Sequence, residues 1–169
     1  MRNMKGKTGF RYCCYLSGIF FLLAPLCLAL GLAIVGFPDG QEASLYGFKL
    51  FFGGNEPYEN GGFTYVFAYR LNPLLIFVLC VSFIASMGSF FGFNFRRNLL
   101  FSAIAGILEI IGLSLSLFFF SYINPGFPLE SLKAGFGYVL SLCLSSLALV
   151  ALFFAYASSQ KSSKRAKKA

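Results

Sequence analysis

Residues 73–122 read PLLIFVLCVSFIASMGSFFGFNFRRNLLFSAIAGILEIIGLSLSLFFFSY, and this stretch decides the fold. Its only charged residues are Arg96, Arg97 and Glu109. On each side of the arginine pair stands an apolar run of roughly 20 residues, the length a helix needs to cross about 30 Å of hydrocarbon. Asn72-Pro73 suits a helix start, because proline at the first helical position gives up no needed hydrogen bond. The link from Phe93 to Arg97 is short, so the two runs form an antiparallel pair of spans, about Pro73–Gly92 and Asn98–Tyr122. The second stops before Asn124-Pro125-Gly126-Phe127-Pro128, a strong helix break.

Two further apolar runs flank this pair, about Cys13–Gly36 and Leu132–Ala157. The prediction is an all-α membrane protein: a four-transmembrane-helix bundle forming a single domain over residues 1–169. Residues 37–71 make the one sizeable outer loop, and the basic tail 158–169 is expected to be cytoplasmic and disordered. Span one resembles a signal peptide, with Ala29-Leu30-Gly31 as a small-x-small site. Its apolar run, however, continues to Phe37, longer than such a signal requires.

Composition agrees. Charged residues are 12% of the chain and apolar residues 57%, with a mean hydropathy of +0.73. A soluble domain carries about 25% charged residues to cover its surface. The net charge of +8 is unevenly placed. Eleven of the fourteen basic residues fall in the N-terminal tail (Arg2, Lys5, Lys7, Arg11), the Arg96-Arg97 link and the C-terminal tail (Lys161, Lys164, Arg165, Lys167, Lys168). With four spans these segments share one side, while Lys49, Arg70 and Lys133 fall on the other. That asymmetry marks the cytoplasmic face, so the chain is expected in the cell membrane with both termini on the cytoplasmic side. Basic helix ends also attract anionic lipid headgroups, at about 1 kcal/mol per residue. Without a nucleic-acid-binding motif, orientation and lipid contact account for the charge.

The outer loop reads as a β-hairpin. Leu45–Phe52 places Tyr46, Phe48, Leu50 and Phe52 on one face. Phe63–Arg70 alternates Phe63, Tyr65, Phe67 and Tyr69 with Thr64, Val66, Ala68 and Arg70. Between them lies a run dense in turn residues, Gly53 to Gly62. A lone hairpin is marginal in water, so helix ends or the lipid interface must support it. Tyr58, Tyr65 and Phe67 are its candidate contact residues.

Each span carries small residues at helical spacing, the kind that lets membrane helices approach. The stripes are Gly18, Pro25, Ala29, Ala33 and Gly36; Ser82, Ala85, Ser86 and Ser89; Ser102, Ala105, Glu109, Gly112 and Ser116; and Ala134, Gly137, Ser141, Ser145, Ala148 and Ala155. Ala105, Gly112, Ser141 and Ser145 are the principal packing candidates. Glu109 lies near the middle of span three, where an acid costs about 2.5–3.5 kcal/mol and normally faces the bundle or a cavity. It is expected to be protonated and hydrogen-bonded, with the serines of the other spans and Tyr138 as its possible partners, and with Ser116 and Tyr138 as the other named members of an intramembrane polar site. Two roles stay open at this stage: a proton- or cation-coupled site, or an acid that ties two helices together.

Chemistry is otherwise sparse. The chain has no histidine, and no G-x-S-x-G, GK[ST] or paired-aspartate motif. No base stands beside Ser141, Ser145 or Ser146 to activate a serine. No catalytic residue, metal ligand or cofactor is implied. The outer acids Asp39, Glu42, Glu56 and Glu59 lack calcium-loop spacing and read as a solvated face. Of the five cysteines, Cys13 and Cys14 adjoin a helix end and could be acylated or simply pack. Cys27, Cys80 and Cys143 lie within spans, so no disulfide framework is expected.

The layout, with both ends inside, a longer first outer loop and a short second one, resembles that of claudin-type four-span proteins. The resemblance does not extend to their outer-loop tryptophan motif and disulfide, since this chain has no tryptophan and no cysteine there, so neither a junction role nor ion selectivity is implied. Phe51-Phe52-Gly53-Gly54 is similar to a stretch in small four-span bacterial proteins that generally lack an assigned function. The expected role is a non-enzymatic one, a scaffold, accessory subunit or homo-oligomer acting through helix and outer-loop contacts. The alternative is a small oligomeric transporter or channel centred on Glu109.

Overall fold

The computed structural model describes residues 4–36, 42–45, 49–60, 63–92 and 96–166. Four long helices dominate: α1 (Met4–Cys27), α3 (Pro73–Phe91), α4 (Arg96–Ile123) and α5 (Phe136–Ala166). Each contains a segment long and apolar enough to cross a membrane, namely Gly9–Leu30, Pro73–Phe91, Arg97–Ile123 and Phe136–Ser158. They pack in a ring, with α1 against α5 and α3, and α4 against α3 and α5. Helices α1 and α4 run toward one end of the bundle, and α3 and α5 run back.

That end carries two small sheets, where sequence reading expected one. In the first, β1 (Ala33–Gly36) is the middle strand, flanked antiparallel by β2 (Glu42–Leu45) and β5 (Leu132–Ala134). Span one is therefore shorter than Cys13–Gly36. After α1 a single 3-10 turn, Leu28–Leu30, leads to Gly31, whose φ of 142° closes the helical path to an L side chain. The chain then pairs as a strand through Leu32 N to Leu45 O (2.9 Å) and Gly135 N to Leu32 O (3.0 Å). Span four likewise starts at Phe136, because residues 132–134 are occupied as β5. Lys133 and Glu42 form an ion pair across this sheet.

The second sheet is the hairpin, with one strand displaced from its expected place. β4 (Phe63–Tyr69) matches the alternating aromatic run, but its partner is β3 (Gly54–Asn60), not Leu45–Phe52. The register pairs Gly54 with Tyr69, Tyr58 with Tyr65 and Asn60 with Phe63, leaving only Gly61-Gly62 between the strands. A two-residue glycine connection is what tight hairpins favour, and Pro57 is tolerated on a strand with a free edge. The expected first strand is divided. Its start joins the three-stranded sheet, Tyr46 and Phe48 lie outside the described residues, and Lys49–Phe52 forms the single turn α2. Leu50 and Phe51 are both buried, as a helical turn allows and an alternating strand does not. Gly53, at φ 82° and bonded from its N–H to Lys49 O, ends that turn.

At the other end, α5 continues helical to Ala166, so the expected disordered tail is helical for most of its length. Ser158 to Ala166 contains no glycine or proline to stop the helix, and its lysine, arginine, glutamine and alanine are adequate formers.

The core divides into two apolar clusters. One lies toward the sheets and includes Leu28, Leu50, Phe51, Leu75, Val78, Leu113 and Phe120. The other lies toward the chain termini and includes Cys14, Phe21, Val81, Ala85, Ala105, Ala148 and Leu152.

Candidate functional site

Glu109 lies between those clusters. Along α4 the terminal-side cluster holds Ala105 and the sheet-side cluster Leu113, one helical turn to either side of the acid. Glu109 is fully buried, and the Ser145 hydroxyl of α5 donates to its Oε1 at 2.7 Å. Ser82 of α3 also faces the carboxyl, with its own proton committed to Val78 O at 2.7 Å. Glu109 Oε2 has no hydrogen-bond partner among the described residues. The Ser82 oxygen, already a donor elsewhere, retains lone pairs that could accept from a protonated carboxyl.

The surroundings of this layer are tight. A Cβ on Gly112 would meet Val78 Cγ2 at 2.6 Å, and one on Gly106 would meet the Phe21 ring at 2.4 Å. Ser141, one turn from Ser145 on α5, donates to Ala24 O of α1. The layer thus brings together Glu109, Ser145, Ser82 and, next to them, Ser141.

Two expected members of the polar site lie elsewhere. Ser116 donates to Leu113 O of its own helix at 2.6 Å, two turns from Glu109. The Tyr138 hydroxyl donates to Ser114 O at 3.4 Å. Ser116 is seven residues from Glu109 and Tyr138 seven from Ser145, about 10 Å along each helix, so helical spacing put them on the correct face at the wrong height. Ala105 and Gly112 are buried on the Glu109 face.

Serines form clasps on every seam of the ring. Between α1 and α3, Ser86 donates to Gly18 O at 2.8 Å and Ser17 and Ser89 hydroxyls lie 3.3 Å apart. Between α3 and α4, Ser89 and Ser102 share a 2.6 Å bond and Ser102 donates to Ala85 O at 2.6 Å. Ser141 joins α5 to α1, and Ser145 joins α5 to α4 through Glu109.

The hairpin is fastened to the bundle by residues to which sequence reading gave no tethering role. Asn124, at the end of α4, accepts from Arg70 N at 2.9 Å and donates to Phe120 O at 3.0 Å. Tyr69 stacks on Phe127 (ring centroids 5.9 Å, 17° between planes) and tilts against Phe120 at 6.2 Å. Asn72 caps α3, its Oδ1 accepting from Leu74 N at 3.1 Å and Leu75 N at 3.2 Å. Asn124 stood inside a plain helix-break motif, and only its burial reveals the tether. For Tyr58, Tyr65 and Phe67 the register fixes the backbone, while their side chains lie outside the described residues.

No known family matches the chain, and neither a curated protein nor a solved structure shows significant similarity to it.

Proposed function

We propose that this chain is a multi-pass protein of the cell membrane that acts through contacts, as a scaffold, accessory subunit or homo-oligomer, with both termini in the cytoplasm. The four apolar helices supply the spans. The clustering of Lys and Arg at the terminal end of the bundle supports the orientation, and the same residues suit anionic headgroups. The observation that carries the contact role is the Glu109 layer. Its acid is fully buried and clasped by Ser145, its helix neighbours Gly112 and Gly106 are closely packed by Val78 and Phe21, and among the described residues no ion pair to it is found. An ion pathway needs a wet or openable route to its acid, whereas a neutral carboxyl tying two helices needs dry packing. Helices clasped on four seams make a rigid body, and the hairpin is tethered to it at Asn124 and Tyr69. That body presents the hairpin outward as a contact surface.

The experiment is purification of the full chain in mild detergent, wild type beside a variant with Asn55, Thr64 and Val66 replaced by lysine. These residues lie on β3 and β4 and are exposed, so the bundle should keep its thermal midpoint. The expected result is a defined complex, of copies or with a membrane protein, that the lysine variant loses. A wild type that is monomeric with nothing bound refutes the contact role. Glu109→Gln in proteoliposomes tests the transport alternative, since a pH-dependent flux that the variant abolishes would establish that alternative instead.

A further inference from the structure

A groove runs between α4 and α5 on the terminal side of the Glu109–Ser145 clasp. Its cavity volume is about 480 Å³, and Leu99 and Ala103 of α4 line it opposite Leu149, Leu152, Phe153 and Tyr156 of α5. Every lining residue is apolar or aromatic, and several face outward, with Leu100 and Phe153 58% and 69% exposed. The lining stretch of α5, Leu149 to Tyr156, extends about 11 Å along the helix axis. That fits within the roughly 15 Å of hydrocarbon in one leaflet.

Beyond the groove's terminal end both helices carry basic positions. Arg97, exposed, stands two residues before Leu99 at the start of α4, with Arg96 beside it. On α5, Lys161 and Arg165 follow Phe154 at spacings of 7 and 11 residues, along the same helical face. The apolar channel, with exposed Arg97 and the basic positions of α5 beyond its terminal end, matches the two halves of one molecule.

We propose that this groove holds one acyl chain of an anionic phospholipid of the cytoplasmic leaflet, with its headgroup between Arg97 and the basic face of α5. The proposal rests on the membrane reading above and deepens its lipid contact into a single site. A lipid here fills the apolar groove on the terminal side of the Glu109–Ser145 clasp. A second copy's helix would bring apolar surface to the groove but no anion for the basic positions beyond it, and a zwitterionic lipid would leave those positions unmatched.

The chain has no tryptophan, so a single introduced one reports its own surroundings. Phe153→Trp places it on the groove wall, and Phe77→Trp places it on the exposed face of α3, 46% exposed and away from the groove. Each full-length variant is reconstituted in phosphatidylcholine vesicles, and fluorescence quenching is titrated with brominated phosphatidylglycerol or brominated phosphatidylcholine. The expected result for Trp at position 153 is quenching at about tenfold lower mole fraction of the glycerol lipid than of the choline lipid. At position 77 the two lipids should quench alike. Adding Arg97→Gln should cut the preference at position 153 by about fivefold. Equal quenching by both lipids at position 153 overturns the proposal. So does a position-153 fluorophore shielded from both lipids while position 77 is quenched, which would assign the groove to a second copy. If neither position is quenched, the membrane reading itself fails, a result distinct from the other two.

Discussion

Gly137→Ala is the sharpest test of how α1 and α5 meet. Gly137 is the second residue of α5, and its backbone lies against the end of α1. A Cβ there would sit 2.1 Å from Cys27 O and 2.8 Å from both the N and the O of Gly31. All three are backbone atoms, which cannot rotate away, so the helices must separate by about 1 Å. Overpacking of this kind costs roughly 1–3 kcal/mol. The separation also strains two bonds of the same junction, Tyr138 N to Gly31 O (3.0 Å) and Gly135 N to Leu32 O (3.0 Å). Each is worth about 1 kcal/mol if lost. A total near 3 kcal/mol corresponds to about a hundredfold in the unfolding equilibrium. Helix propensity alone gives the opposite sign, because alanine is favoured over glycine by about 1 kcal/mol. Reversible unfolding by denaturing detergent in mixed micelles, followed by circular dichroism, measures the difference. Gly126→Ala is the control, since nothing lies within 4 Å of its Cβ position. A Gly137→Ala protein as stable as that control, or more stable than wild type, refutes the close α1–α5 crossing.

Three other outcomes are expected. Ser145→Ala, which removes the donor to Glu109, should cost about 0.6 and at most about 1.7 kcal/mol in the same titration. Ser146→Ala, whose hydroxyl serves only Leu142 O on its own helix, should change stability by less than about 0.5 kcal/mol. Asn124→Ala should leave the four helices intact but release the hairpin, with the Arg70 amide exchanging its hydrogen about five to ten times faster by mass spectrometry. Asn72→Ala should cost about 1 kcal/mol by uncapping α3, and unchanged stability there would contradict the cap geometry.

The four apolar helices were legible because length and hydropathy alone decide them. The small-residue faces of two spans were legible too, since Ser82, Ala85, Ser86 and Ser89 on α3 and Ser102, Ala105, Glu109, Gly112 and Ser116 on α4 are all buried, whereas Ala33, Gly36 and Ala134 of the other two stripes lie in strands β1 and β5. What periodicity could not supply was height and pairing. Ser116 and Tyr138 share faces with Glu109 and Ser145 yet stand two turns away, because a repeat of 3.6 fixes an angle and leaves the axial offset free. The hairpin failed in a different way. Aromatic alternation in Leu45–Phe52 looked like a strand, but the following stretch from Gly54 to Asn60 could form the tighter connection to Phe63. Closing on two glycines brings the strands together with little loop-closure cost, whereas the expected pairing required a ten-residue loop, Gly53 to Gly62. The third strand of the other sheet comes from beyond residue 130, a long-range pairing that a three-residue segment cannot announce.

The buried acid becomes intelligible from its seam. Among lipid chains, apolar helix faces attract one another no more than they attract the solvent, so leucine and phenylalanine cannot by themselves fix how far one helix slides past the next. Hydroxyl bonds can, since each has one partner at one height. On three seams a serine reaches a backbone carbonyl of the neighbouring helix directly: Gly18, Ala85 and Ala24. On the α4–α5 seam Ser145 meets a carboxyl instead. A glutamate side chain extends several bonds farther than a backbone carbonyl, and the apolar groove lies on the terminal side of this clasp. The longer side chain thus clasps the same seam that carries the groove the lipid is inferred to fill. Shortening the clasp by Glu109→Asp should then draw α4 and α5 together or break the bond. In the first case, quenching at position 153 by the anionic lipid falls with stability kept; in the second, stability falls with quenching kept. A variant that alters neither would show that Glu109 sets no spacing.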